Sequence, residues 1–157
     1  MKILGLKCGS SSVKTQLIET GPELIAAGRE RQLGKVSVEK VGSAEAIIHS
    51  EIPGSAAVAV TRPIPTHREA VETAVHTLME RLAGVIKSLA EIEGVGHRIV
   101  HGGERFTASA PMTDDVVREI ENTSSLAPLH NPENLKGLTP KCARCRRCTP
   151  RFRTTTW

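Results

Sequence analysis

The sequence predicts an α/β domain built on a mixed sheet, and three observations carry that reading. Short runs that alternate apolar with polar residues recur through the first sixty or so positions. At His67 the apolar spacing changes to steps of three and four residues. Beyond that stretch, short strand and helix signals alternate.

Taken in order, "MKILGLK" reads as a strand through Ile3, Leu4 and Leu6, and "SVKTQLIE" as a second strand that alternates Val13, Thr15 and Leu17 with polar neighbours. Their separation suits a hairpin whose connection is "CGSSS". Gly21-Pro22 marks a turn, and "ELIAAGRE" is expected to return as a third strand. "KVSVEKV", "AEAIIHSE" and "AAVAVT" suggest further short strands. From His67, the recurrence of Val71, Val75, Leu78, Leu82, Val85 or Ile86, and Leu89 predicts one amphipathic helix running to about Glu93, before Gly94-Val95-Gly96. "HRIVHGGE" then reads as a strand ended by paired glycines. Thr113 ahead of Asp114 and Asp115 predicts a capped helix over "DDVVREIENT". "LAPLHNP" is a loop, and Asn131-Pro132 opens a third helix that barely starts before Thr139-Pro140.

The 157 residues are enough for one domain with a real core, and the composition, 39% hydrophobic and 24% charged, is that of a globular chain rather than a disordered or fibrous one. No apolar run approaches the roughly 18–20 residues that span a bilayer, and the N-terminus has no signal-peptide pattern, so a cytoplasmic chain is expected. The net charge of +4 is unevenly placed. Lys141, Arg144, Arg146, Arg147, Arg151 and Arg153 fall in the last 19 residues without one acid, whereas the first 138 residues carry a net charge of −2. Three of the four cysteines also lie in that tail. Composition therefore divides the chain into residues 1–138 and a basic, cysteine-rich tail over 139–157, expected to be disordered. Nucleic acid is not an expected partner of the first part.

Two segments carry candidate chemistry. In "KCGSSSVK", backbone N–H groups of a glycine-containing turn and adjacent serine hydroxyls can cradle phosphate oxygens, with Lys14 adding a point charge. The segment is not a P-loop, because the second glycine and the following helix are missing. The alternative is a solvated hairpin turn. In "GHRIVHGGE", Arg98 can present its planar fork to a carboxylate or phosphate beside Gly102 and Gly103. The alternative is a surface arginine paired with Glu104 or another acid. His97, His101 and His130 share no convincing face and have no evident acidic partner, which argues against a zinc site.

"CGSSSVK" after an N-terminal strand, "VGHRIVHGGERF" near residue 100 and "LAPLHNPENLKG" from residue 126 together resemble the acetate kinase family, with propionate and butyrate kinases as close relatives. The resemblance covers residues 1–138, the front third of a member of usual length. It implies the N-terminal part of the acetate and sugar kinase/Hsc70/actin-type (ribonuclease H-like) fold, a mixed sheet with flanking helices, here incomplete. It also implies transfer of the γ-phosphoryl group of ATP to acetate with Mg²⁺, giving acetyl phosphate and ADP, in a cytoplasmic homodimer. Carried onto this chain, Ser10, Ser12 and Lys14 would lie at the phosphates, and Arg98 at the acetate carboxylate or the transferring phosphoryl group. Val100 and Leu129 would shape a small apolar pocket, and His130 would stand beside the transition state. Phosphoryl transfer rests on positioning and on neutralising charge spread over oxygens, which suits these residue types.

Two positions depart from the family pattern. Lys7 stands where the family has asparagine, and an ammonium cannot ligate Mg²⁺ and repels it. Thr15 stands where an aromatic is usual. The family's catalytic aspartate and its later phosphate and metal residues lie beyond the resemblance, so the chain alone is expected to lack useful turnover. Cys142, Cys145 and Cys148 form C-x-x-C-x-x-C, which with Cys8 suggests a zinc or cluster site. A shifted reading frame in the coding sequence is the favoured rival account of the tail, ahead of a metal- or nucleic-acid-binding module.

Overall fold

The computed structural model describes residues 1–100, 102, 104–106, 108–126, 128, 131–136 and 152–156. Eight strands form one mixed sheet: β1 (Lys2–Cys8), β2 (Ser12–Glu19), β3 (Arg31–Glu39), β4 (Ala46–Glu51), β5 (Val58–Arg62), β6 (Gly94–Ile99), β7 (Ala110–Pro111) and β8 (Phe152–Thr156). Their spatial order is β5-β4-β3-β2-β1-β6-β8-β7. The first five pair antiparallel in sequence order, whereas β6 joins β1 in parallel and β8 joins β6 in parallel. The helices are α1 (Pro22–Ala26), α2 (His67–Arg81), α3 (Asp114–Asn122) and α4 (Asn131–Lys136).

The alternation in β1 and β2 sends Leu4, Leu6, Cys8, Val13, Thr15 and Leu17 to one face, where all are buried. Helix α2 covers that face, packing on β2, β3 and β4. Its inward residues include Ala70 and Ala74, whose small side chains let the helix sit close, followed by Leu78. Where α2 crosses β3 the sequence has Gly34, and a Cβ there would stand 2.5 Å from Ile52 Cδ1 and 3.2 Å from Leu78 Cδ1. The same place carries a β-bulge: Leu17 pairs with Gly34 and Ile18 with Gln32, so Leu33 is the extra residue, and Leu33 and Gly34 are consecutively buried. Helix α4 packs on β1, β6 and α2, and α3 packs on α4. Among the described residues no helix packs on the opposite face.

Three sequence expectations need correction. "ELIAAGRE" does not form a strand. Pro22 occupies the first turn of α1, the following residues are good helix formers, and Gly28 at φ 58° ends the helix. Arg29 N–H donates to the Leu24 carbonyl and Gly28 N–H to that of Ile25, a Schellman closure. The helix from His67 stops at Arg81 rather than near Glu93. Irregular turns follow it, in which Val85 and Ile86 N–H groups both donate to the Leu82 carbonyl, so Leu82 and Ile86 remain buried while Val85 and Leu89 face solvent. In the tail, residues 152–156 form β8, in a segment where disorder was expected, because a parallel edge beside β6 is open to backbone pairing. Thr113 does cap α3, its hydroxyl accepting from Val116 N–H.

A 3₁₀ turn at Leu89–Glu91 is fastened to the start of β1. The Lys2 ammonium donates to Glu91 at 2.7 Å, and Lys87 N–H donates to the same carboxyl at 2.7 Å. The Lys2 hydrogen bond first, then that of Lys87, holds the Glu91 carboxyl below the usual carboxylate range. A group depressed on folding contributes stability above its unfolded pKa and loses that contribution as the pH falls through the folded one. Glu91→Gln is therefore expected to lower the urea midpoint at neutral pH and to flatten its decline in acid. Parallel profiles for the two proteins would contradict this.

Candidate functional site: a cationic row on the open sheet face

Lys7 lies one residue before the end of β1, with Lys14 as its register partner on β2 and Arg98 as its partner on β6. Lys14 pairs in turn with Ser37, and Ser37 with His49. Arg98, Lys7, Lys14, Ser37 and His49 thus form one straight row across five strands, on the face that α2 leaves uncovered. Neighbouring strands lie about 4.8 Å apart, so Lys7 stands directly between two other cations. Like charges placed opposite each other on a sheet are destabilising unless an anion lies near them. Among the described residues no carboxylate is within ion-pair distance of Lys7, Lys14 or Arg98. Glu104 does not pair with Arg98, and the nearby Arg105 pairs with Glu119 instead, at 2.7 Å.

The next row along the strands is Gly96, Gly5, Gln16, Lys35 and Glu51. Glycines on both β6 and β1 leave the sheet bare there, which opens a shallow cavity of ≈ 620 Å³ below the cations. Its one acid, Glu51, is occupied by Lys35 at 2.9 Å. The row and cavity can hold an anion, and they have no arrangement for a divalent cation: among the described residues no group of three His, Cys, Asp or Glu comes together.

The hairpin between β1 and β2 closes this end of the face. Gly9 N–H donates to the Ser12 carbonyl at 2.7 Å, and a Cβ on Gly9 would meet Ser12 Oγ at 2.9 Å, so a larger residue here would turn the Ser12 hydroxyl aside. Ser10 and Ser11 are exposed and Ser12 is half-buried. Val41 N–H donates to the Ser11 carbonyl at 2.9 Å, tying the loop to the end of β3. The N–H groups of Ser10 and Ser11 have no partner among the described residues.

The structure therefore brings Ser10, Ser12, Lys14, Lys7 and Arg98 to one end of one face, with half-buried Val100 following β6 at the same end. Leu129, His130 and His101 lie outside the described residues. His97 is buried on the α2 side, its Nδ1 3.1 Å from the Leu6 carbonyl oxygen, which makes it a core histidine. Cys8 is buried in the core as well, and Cys142, Cys145 and Cys148 lie outside the described residues. Sequence reasoning missed Ser37, His49 and His67. Ser37 and His49 had only the alternation of their strands as a signal, and His67 had only its place at the start of a helix.

A five-strand run β3-β2-β1-β6-β8 with β1, β6 and β8 parallel, and a serine hairpin beside the end of β1, defines the class: the N-terminal part of an acetate and sugar kinase/Hsc70/actin-type, ribonuclease H-like fold. The chain belongs to the Acetokinase family, whose family model matches residues 2–146, eight residues past the compositional boundary at 138. The acetate kinase of Alkaliphilus metalliredigens is 44% identical over 139 residues, covering 88% of this chain and 33% of the relative. The crystal structure of Porphyromonas gingivalis acetate kinase matches with a TM-score of 0.84 at 36% identity, covering 99% of this chain and 37% of that one. A propionate kinase from Francisella tularensis matches with a TM-score of 0.76 at 26% identity, covering 99% and 36%. The chain thus spans about a third of the length of the curated relatives it matches.

Proposed function

We propose that these residues are the phosphate- and carboxylate-holding side of an acetate kinase, which transfers the γ-phosphoryl group of ATP to acetate and yields acetyl phosphate and ADP. The observation that carries the reading is the row of Arg98, Lys7 and Lys14 at the level of the serine hairpin, with no acidic partner among the described residues. The Ser10 and Ser11 N–H groups and the Ser10 and Ser12 hydroxyls bind phosphate oxygens, and Lys14 balances their charge. The Arg98 fork holds the acetate carboxylate or the phosphoryl group in transit. Val100 and Leu129 bound the methyl group, and His130 stands beside the transition state. The similarity to a propionate kinase supports a somewhat longer acyl chain as a second substrate.

The residues of this face do not fit Mg²⁺, because Lys7 occupies the position nearest the hairpin between two further cations. By this reading, turnover as a cytoplasmic homodimer belongs to a protein of the family's usual length. Residues 1–138 supply one side of its cleft, and within the basic tail residues 152–156 add a strand to the same sheet.

A chimera tests the proposal: residues 1–138 joined to the remaining two thirds of the Alkaliphilus relative, assayed for acetyl phosphate by trapping with hydroxylamine. Product is expected, and Lys7→Asn is expected to lower the Mg²⁺ concentration at half-maximal rate. A folded, ATP-binding chimera that forms no acyl phosphate in either version would contradict the assignment.

A further inference from the structure

His67 is the first residue of α2, directly after the Thr66 cap, and its side chain is buried. The other inward residues of that helix, Ala70, Val71, Ala74 and Leu78, are apolar. A buried imidazole is unfavourable unless its ring nitrogens are hydrogen-bonded. His67 Nε2 lies 2.7 Å from the carbonyl oxygen of Gly9, 58 residues earlier in the chain. A carbonyl only accepts, so Nε2 carries the proton and donates it.

That bond acts on the loop through the geometry of the peptide unit. In a trans peptide the C=O and the following N–H point in opposite directions across one rigid plane. Drawing the Gly9 carbonyl toward His67 therefore turns the Ser10 N–H away from α2, outward from the loop. The Val41 N–H that takes the Ser11 carbonyl does the same for the N–H of Ser12. Two donors outside the hairpin thus fix two of its peptide planes before any ligand arrives.

We infer that His67 is a positioning residue: through the Gly9 carbonyl it sets the peptide plane that presents the Ser10 N–H to a phosphate oxygen. The inference rests on reading the hairpin as a phosphate site, and it adds a residue from another element that prepares that site without touching the ligand. Both bonds are made within the chain itself, so the anion does not have to order the loop.

His67→Phe keeps a ring of similar size without a donor, and His67→Gln keeps an N–H near the position of Nε2. Hydrogen exchange at the Gly9 and Val41 amides, whose bonds close the loop, is read beside tripolyphosphate affinity by calorimetry. In H67F both amides are expected to exchange about tenfold faster, with the Leu17 and Val36 amides unchanged, and affinity to fall about tenfold. In H67Q both quantities are expected to return to within about threefold of the parent chain. Unchanged loop exchange and affinity in H67F, or an H67Q as impaired as H67F at equal thermal stability, would overturn the role. The ¹⁵N spectrum of the unsubstituted imidazole is a check that needs no variant: a proton on Nε2 supports the inference, and a proton on Nδ1 alone overturns it. A parent chain that binds no tripolyphosphate removes the hairpin reading and the inference with it. Normal parent binding that H67F leaves intact removes only the role of His67.

Discussion

Arg98→Ala is expected to weaken tripolyphosphate binding by about tenfold or more, which corresponds to about 1.4 kcal/mol and is the lower range for a hydrogen bond to a charged group. An arginine paired with Glu104 would lose little on truncation, because exposed ion pairs contribute about 0–1 kcal/mol. Here the guanidinium is half-buried beside Lys7 with no acid within reach among the described residues, so its hydrogen-bonding capacity is open to a ligand. Measurement by calorimetry near physiological salt, where the Debye length is about 8 Å, suppresses diffuse attraction by the basic tail. An affinity within about twofold of the parent would show that Arg98 is a structural or solvated cation.

Leu17→Ala is expected to destabilise the fold by about 2–5 kcal/mol, out of a total that for native domains is about 5–15 kcal/mol. Leu17 has no exposed surface and sits on β2, the middle strand of the run β1-β2-β3, opposite Leu4 on β1 and Gly34 on β3. At Gly34 the side chains of Leu78 and Leu82 come within 3.4 Å of where a Cβ would stand, so Leu17 lies beside a tightly packed part of the core. Sheet and helix both lose contacts at one point. The comparison is Val60→Ala on the edge strand β5, where the side chain is 49% exposed and the change is expected within about 0.5 kcal/mol. Urea midpoints at unchanged slope measure both, and equal effects at the two positions would contradict a core confined to the α2 side.

The period-two alternation made β1, β2 and the second half of β3 legible because each buries one face, whereas β5, exposed along its length, was marked only by its run of alanine and valine. It failed at Leu24 and Ile25, since α1 buries nothing and its apolar residues carry no information about a core. It overran at the end of α2 because Leu82 and Ile86 are buried by turns whose spacing imitates a helix. Ser10, Ser12, Lys14 and Arg98 were recognisable as residue types in their motifs. Their meeting was not legible, because it depends on a parallel pairing between β1 and β6 across some ninety residues. The burden of Lys7 has the same origin: the sequence shows a lysine in place of asparagine, and only the register shows it lying between two other cations.

The most direct test of the account is to locate a bound polyphosphate on the labelled chain by amide and arginine side-chain chemical shifts during a tripolyphosphate titration. Saturable shifts are expected at Ser10, Ser11, Lys14 and the Arg98 guanidinium, with the face around β4 and β5 unmoved. Shifts confined to Lys141, Arg144, Arg146, Arg147, Arg151 and Arg153, with the hairpin silent, would contradict it and assign anion binding to the tail.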